Sequence, residues 1–366
     1  MVGDLATLLE LRRPARRRTS KPISTLAFDS LYAFLALLVV IGIFIDVWSH
    51  TAFGPDQSVL SAYHFLFYTS MAMIGGLLLY VHTMNVRAGY RWDSALPIGY
   101  GLSFAGVILF GIFGVLDLTG HALFGFETGM EAILSPSHNL GFLSLFVVAL
   151  GPARAVFARH SRGQTLPMRE MPLVVIAAVT LISPLTFAML GFTPLSDMPR
   201  AVQEMRGSAE GSAKALELGG IFVQTLVIMS MLLWFVSRVR LPKGAMTLLF
   251  AVYGLLLSVI SVYPLAFVVT ALAGISVEIV YHLTQPALDN PLRFRLFGLF
   301  APMAIWATYY AFYGFTGIGG GIWFTNYIWS GAIVQSGLFG FVLAFFATMN
   351  LTSNSSEAYA LGAREL

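Results

Sequence analysis

Apolar runs of about 18 to 23 residues alternate with short polar stretches along the whole chain. A run of that length crosses a bilayer core of roughly 30 Å as a helix. Ten such spans are read, at about 29–48, 61–83, 96–116, 138–156, 172–192, 218–236, 244–261, 264–283, 296–314 and 326–348. Only Tyr263-Pro264 separates the seventh from the eighth, so a tight hairpin and one interrupted segment both fit there. The pattern predicts an all-α, polytopic transmembrane helix bundle of about ten spans.

Composition strengthens that reading. Of 366 residues, 57% are hydrophobic and 11% charged, against about 25% charged in a soluble domain. A soluble enzyme is excluded. The absence of cysteine excludes disulfides, thiolate metal sites, iron–sulfur clusters and cysteine nucleophiles. Any metal must be held by His, Asp, Glu or Met.

The net charge of +3 gains meaning from its distribution. With the N-terminus inside, the inner segments hold 18 of the 21 Lys and Arg residues; the outer loops hold only Arg200, Arg206 and Lys214. This asymmetry predicts a multi-pass protein of the inner (plasma) membrane with both termini cytoplasmic. The run Arg12-Arg13-Pro14-Ala15-Arg16-Arg17-Arg18 reads as a topology anchor against anionic lipid rather than a nucleic-acid arm. The first span is too long for a signal-peptide core and is expected to stay in the mature protein. Four regions follow: a basic N-terminal segment at 1–28, a four-span region at 29–158, a six-span region at 159–348 whose role carries no motif, and a cytoplasmic tail at 349–366.

Acidic residues near span ends are functional candidates because a charge in the bilayer is expensive. Asp46 and Asp117 lie near the outer ends of the first and third spans, each followed four residues later by a histidine, His50 and His121. Residues four apart share a helix face, so carboxylate and imidazole can point at one ion. The pattern then continues twice in the same order. Phe53-Gly54, Asp56 and a span opening with His64 follow the first pair; Phe124-Gly125, Glu127 and a span opening with His138 follow the second. The histidine gaps are 14 and 17 residues, and the whole is an internal repeat. Each half offers three donors, Asp46, His50 and His64 or Asp117, His121 and His138. Mixed nitrogen–oxygen sites of this type suit copper, with iron or zinc as alternatives. Glu127 and Glu131 are candidates for orienting ligand imidazoles or relaying protons, and Trp48 and Phe124 for lining the site.

The paired motif resembles the C subunit of the copper-dependent membrane monooxygenases, the particulate methane and ammonia monooxygenase group, over roughly residues 40–145. In that family one helix pair carries Asp-x3-His and a later Thr-Pro-Ser-His. A second carries Asn-x3-His, a Gly-His pair, an acidic stretch and a later Pro-x-His. Gly120-His121, Glu127, Glu131 and Ser135-Pro136-Ser137-His138 follow the second motif in order. Asp117 stands where the family usually has Asn, Ser61-Ala62-Tyr63 replaces Thr-Pro-Ser, and both loops are longer. The resemblance implies a copper protein that oxidises a small apolar substrate with dioxygen, working with other membrane subunits or an electron donor. A metal transport or loading protein, and a non-catalytic scaffold subunit, are the alternatives.

The other candidates read as structural. His82 is an interfacial residue, His160 a solvated one in an Arg-rich inner loop, and Glu278 and His282 a local pair. The glycine-rich stretch 317–322 lacks the strand and the Lys-Ser/Thr of a phosphate loop.

Overall fold

Every apolar run becomes a helix. A computed structural model describes residues 18–54, 61–125, 134–188, 193–196, 210–261, 263–318 and 321–362. Their long helices are α1 (Leu26–Phe53), α2 (Ala62–Arg87), α3 (Gly101–Phe124), α4 (Pro136–Arg159), α5 (Met171–Ala188), α6 (Glu210–Val236), α7 (Ala245–Ser261), α8 (Leu265–Thr284), α9 (Pro291–Thr316) and α10 (Asn326–Gly362). Nine contain a stretch long and apolar enough to cross a membrane; α7 is apolar but has only 17 residues. The protein is a multi-pass helical membrane protein.

The ambiguity at Tyr263-Pro264 is resolved as a tight hairpin. Gly254 of α7 lies against Thr270 of α8, and Gly274 of α8 against Phe250 of α7, the register of two antiparallel helices in close contact. Pro264 precedes the first residue of α8, where its missing N–H leaves no bond unmade.

Two apolar cores hold the bundle together. The smaller draws Tyr32, Val39, Phe67, Ile74, Phe113 and Val148 from α1–α4. The larger runs through α5–α10 and reaches back to Ala33, Val40 and Phe44 of α1 and Ala153 and Val156 of α4. Helices α1 and α4 therefore belong to both cores and join them. Helices α2 and α3 lie at the margin, with only 28% of their apolar windows buried by protein, against 78% for α5.

The segments predicted to lie inside meet at one end of the bundle. Arg18 pairs through its backbone with Gly89 and Arg91, and Ile98 with Pro22; Gly163 and Leu166 pair with Arg238 and Arg240. An ionic network locks the same end. The buried Asp29 accepts from Tyr100 Oη at 2.6 Å and from Arg159 at 2.5 Å, and Arg159 also reaches Glu170 at 3.3 Å. His160, expected to be solvated, instead lies 3.0 Å from Glu170 with its side chain only 12% exposed. A buried carboxylate that already holds an arginine recruits the neighbouring imidazole as a second partner.

Candidate metal centre

The candidate ligands gather at the opposite end of the bundle, where α1 stops and α2 starts, and again where α3 stops and α4 starts. Local sequence fixes each stop and each start. Gly54 and Gly125 follow their helices with φ of +86°, and their N–H groups donate back to the carbonyls of His50 and His121. Glycine occupies that region without the clash a Cβ brings. Ser61 and Ser135 cap the next helices, each accepting with its Oγ from the backbone N–H three residues on, at His64 and His138. The repeat is thus also a repeat of caps, and the caps set each histidine one turn into its helix.

Packing then carries the histidine of one helix to the carboxylate of the other. Gly42 of α1 sits so close to Phe67 of α2 that a Cβ on it would stand 2.7 Å from the Phe67 backbone nitrogen. Asp46 lies one turn beyond Gly42 and His64 one turn before Phe67, so the tight crossing makes them meet. The second pair uses the same register with the partners exchanged. Phe113, one turn before Asp117, packs on Gly141, one turn after His138.

In the first group Asp46 Oδ1 lies 3.1 Å from His64 Nε2 and 3.6 Å from His50 Nε2. One ligand atom from each of Asp46, His50 and His64 falls within 4.8 Å of the others, and among the described residues this is the one group of three or more His and acidic residues to converge so. All three side chains are partly buried, His50 being the most open at 36%. One carboxylate oxygen and two imidazole nitrogens facing one point are donors that suit copper, iron or zinc.

The second group forms the same pairs with a different result. Asp117 Oδ2 lies 3.2 Å from His121 Nε2 and Oδ1 lies 3.6 Å from His138 Nδ1. Two serines intervene. Ser137 donates to Asp117 Oδ1 at 3.0 Å, and Ser135 Oγ lies 2.6 Å from His138 Nδ1. Asp117 is nearly buried at 5% exposure. The side chains of Phe67, Tyr68, Phe110 and Phe113 lie between the two groups, ring against ring from His64 to His138. The groups are neighbours, each with its own carboxylate.

Comparison with protein-family profiles, with characterised proteins and with solved structures finds no match. The chemistry of the site therefore rests on its own residues.

Other expectations fall out as follows. Glu127 and Glu131 lie outside the described residues. Trp48 packs edge-on against Phe53 at 5.5 Å. Phe124, at the last position of α3, is 88% exposed. His82 bonds the Trp92 carbonyl at 2.9 Å. Glu278 meets His282 at 2.7 Å and also accepts from the N–H groups of Gly244, Met246 and Thr247, so it caps the start of α7.

Three buried acids, Asp29, Glu170 and Glu217, were not singled out from the sequence. Glu217, just outside the 218–236 apolar run, sits inside α6 with no exposed surface, accepting from Trp323 Nε1 and from Tyr309 Oη at 3.5 Å. Its position directly before the 218–236 apolar run was the available signal, since a helix often starts before hydropathy rises.

Proposed function

We propose that Asp46, His50 and His64 bind a copper ion, with iron or zinc as the alternative, and that Asp117, His121 and His138 form a second, neighbouring site. The protein is then a metal-bearing membrane subunit of the monooxygenase type, oxidising a small apolar substrate with dioxygen at the outward face of the plasma membrane. The observation that carries the metal reading is the convergence of the Asp46, His50 and His64 donor atoms within 4.8 Å from two helices. The order of the motif, Asp-x3-His twice with a capped histidine after each, supports the oxygenase part through its resemblance to the C subunits. The excess of Lys and Arg on the other side supports the outward orientation.

Bound copper supplies the redox chemistry by which dioxygen is activated. The chain's own residues do the rest. Neutral imidazoles and one carboxylate give a mixed donor set; Ser135 at 2.6 Å from Nδ1 holds the His138 ring; the surrounding bilayer concentrates apolar molecules near the site. Electrons come from a partner subunit or a donor in the membrane, because the chain has no cysteine for an iron–sulfur centre.

The test is metal analysis of the full chain in native lipid with electron paramagnetic resonance on the same sample. One or two copper ions per chain, with a nitrogen-coordinated Cu(II) signal that shrinks in the His50→Ala/His64→Ala variant, is the expected result. A protein that stays metal-free after copper is supplied during growth and purification overturns the reading.

A further inference from the structure

At the basic end of the bundle, remote from the candidate metal ligands, α8, α9 and α10 leave a groove of about 750 Å³. Its polarity is one-sided. Leu296, Phe300, Met303 and Ala307 form a continuous apolar wall along α9, and polar side chains occur only at the mouth, as Thr284 and Arg293. Thr284 is already occupied, its hydroxyl donating to the Val280 carbonyl at 2.7 Å.

Arg293 differs from Arg91, Arg159 and Arg295 at this end in what its side chain meets. Arg91 and Arg159 each hold a carboxylate, at 2.8 and 2.5 Å. Arg295 donates to Thr348 Oγ1 at 2.9 Å and lies over the Phe345 ring at 4.6 Å. Arg293 reaches only the neutral amide of Gln285, at 3.4 Å, and among the described residues no carboxylate stands within 4.0 Å of it. Asp289, four residues earlier, is exposed and makes no bridge to it. Among the described residues, the guanidinium therefore stands at the mouth of an apolar groove with no counter-charge in bridging distance.

We propose that this groove binds an anionic phospholipid, with its phosphate on Arg293 and one acyl chain along Leu296, Phe300, Met303 and Ala307. Three physical points select this occupant. A fixed cation at the mouth asks for an anion, and basic pockets between membrane helices hold anionic headgroups. The wall runs fourteen residues from Arg293 to Ala307, about 21 Å at 1.5 Å per residue, which spans the roughly 15 Å of one leaflet. The wall offers no hydrogen-bonding group beyond the mouth, so a peptide laid there would leave its backbone unpaired. A choline headgroup would set a second cation beside Arg293, which favours phosphatidylglycerol over phosphatidylcholine. The site is independent of the metal reading.

The experiment is native mass spectrometry of the full chain in detergent, titrated with phosphatidylglycerol or phosphatidylcholine of identical acyl chains. The expected result is one phosphatidylglycerol retained at least tenfold better than phosphatidylcholine. Arg293→Gln should bring the two lipids level, Arg293→Lys should keep most of the preference, and Arg169→Gln, at an exposed arginine of the same end, should change nothing. Ala307→Phe, which fills the groove, should lower retention of both lipids. Equal retention by the unmodified protein, or an effect of Arg169→Gln as large as that of Arg293→Gln, overturns the proposal. So does displacement of the lipid by millimolar inorganic phosphate, which would make this a simple anion site.

Discussion

The two acid–histidine groups are built on one plan and end in different states. Both have a helix ending Asp-x3-His, a glycine stop at φ +86°, a serine cap and a histidine three residues into the next helix. Both bring their helices together through one phenylalanine and one glycine, a turn away from the ligands. The difference lies in the residue before the second histidine. In the first group it is Tyr63, whose ring stacks on Phe53 at 6.2 Å. In the second it is Ser137, whose hydroxyl donates to Asp117 at 3.0 Å. A hydroxyl at that position claims carboxylate lone pairs that an ion would use, and an aromatic ring does not. The same order of ligands therefore yields one group whose donor atoms converge and one whose carboxylate is shared with a serine.

The comparison breaks most strongly at the shared carboxylate. Asp46→Ala removes the oxygen that faces both imidazoles, and metal retained by the first site should fall more than tenfold, whereas the second site should keep its metal. Isotope-resolved metal counting on the variant and on Asp117→Ala checks this; equal losses in the two variants would mean that the groups act as one centre. Next comes the crossing of α1 and α2. An alanine at Gly42 meets the backbone nitrogen of Phe67 at 2.7 Å, while one at Gly141 meets only the Phe113 ring, at 3.3 Å. A ring edge can yield and a backbone in a packed helix pair cannot. Gly42→Ala should cost about 1–3 kcal/mol of stability through overpacking and weaken copper binding, and Gly141→Ala should do markedly less; thermal unfolding with and without copper separates the two.

A smaller effect sharpens the comparison in the other direction. Ser137→Ala frees Asp117 from its hydroxyl partner, and copper affinity of the second group should rise about three- to tenfold, within the typical net worth of one hydrogen bond, about 0.5–1.5 kcal/mol. Tyr63→Ser should lower the affinity of the first group by a similar factor. Competition titration with a chelator reads both, and a rise in the first substitution without a fall in the second would place the cause outside this position.

Much of the architecture was legible because bilayer thickness dictates it. Apolar runs of span length have one way to satisfy their backbone in lipid, so the helices and their order follow directly. Pairing of Asp46 with His50 and of Asp117 with His121 was legible too, since the i, i+4 rule is local. What escaped depended on contacts between segments or on exact helix starts. The hydroxyl of Ser137 is twenty residues from Asp117, and only the packing of α3 on α4 brings them together. His160 looked solvated because Glu170, ten residues later, gives no sign along the chain that it turns back. Glu217 looked like a loop residue because hydropathy marks where a helix becomes apolar, and α6 starts seven residues before it.

The last expected effect concerns the turns that both groups share. Gly54 and Gly125 have φ of +86°, and a Cβ built on either meets nothing within 4 Å. Space is therefore irrelevant there and only backbone conformation counts. With ψ of 173° and 179° these glycines occupy a region essentially reserved for glycine, where an alanine costs about 1–3 kcal/mol, so Gly54→Ala and Gly125→Ala should lower stability by about the same amount. Their effects on metal should differ even so. Unwinding the end of α1 moves His50, which is one of three converging donors, and copper loss should follow it. Unwinding the end of α3 moves His121 while Ser137 still holds Asp117, and the second group should respond less. Chemical denaturation and copper titration on the two variants together test the point: equal stability losses with unequal metal losses support the comparison, and equal metal losses would show that the serine does not set the second group apart.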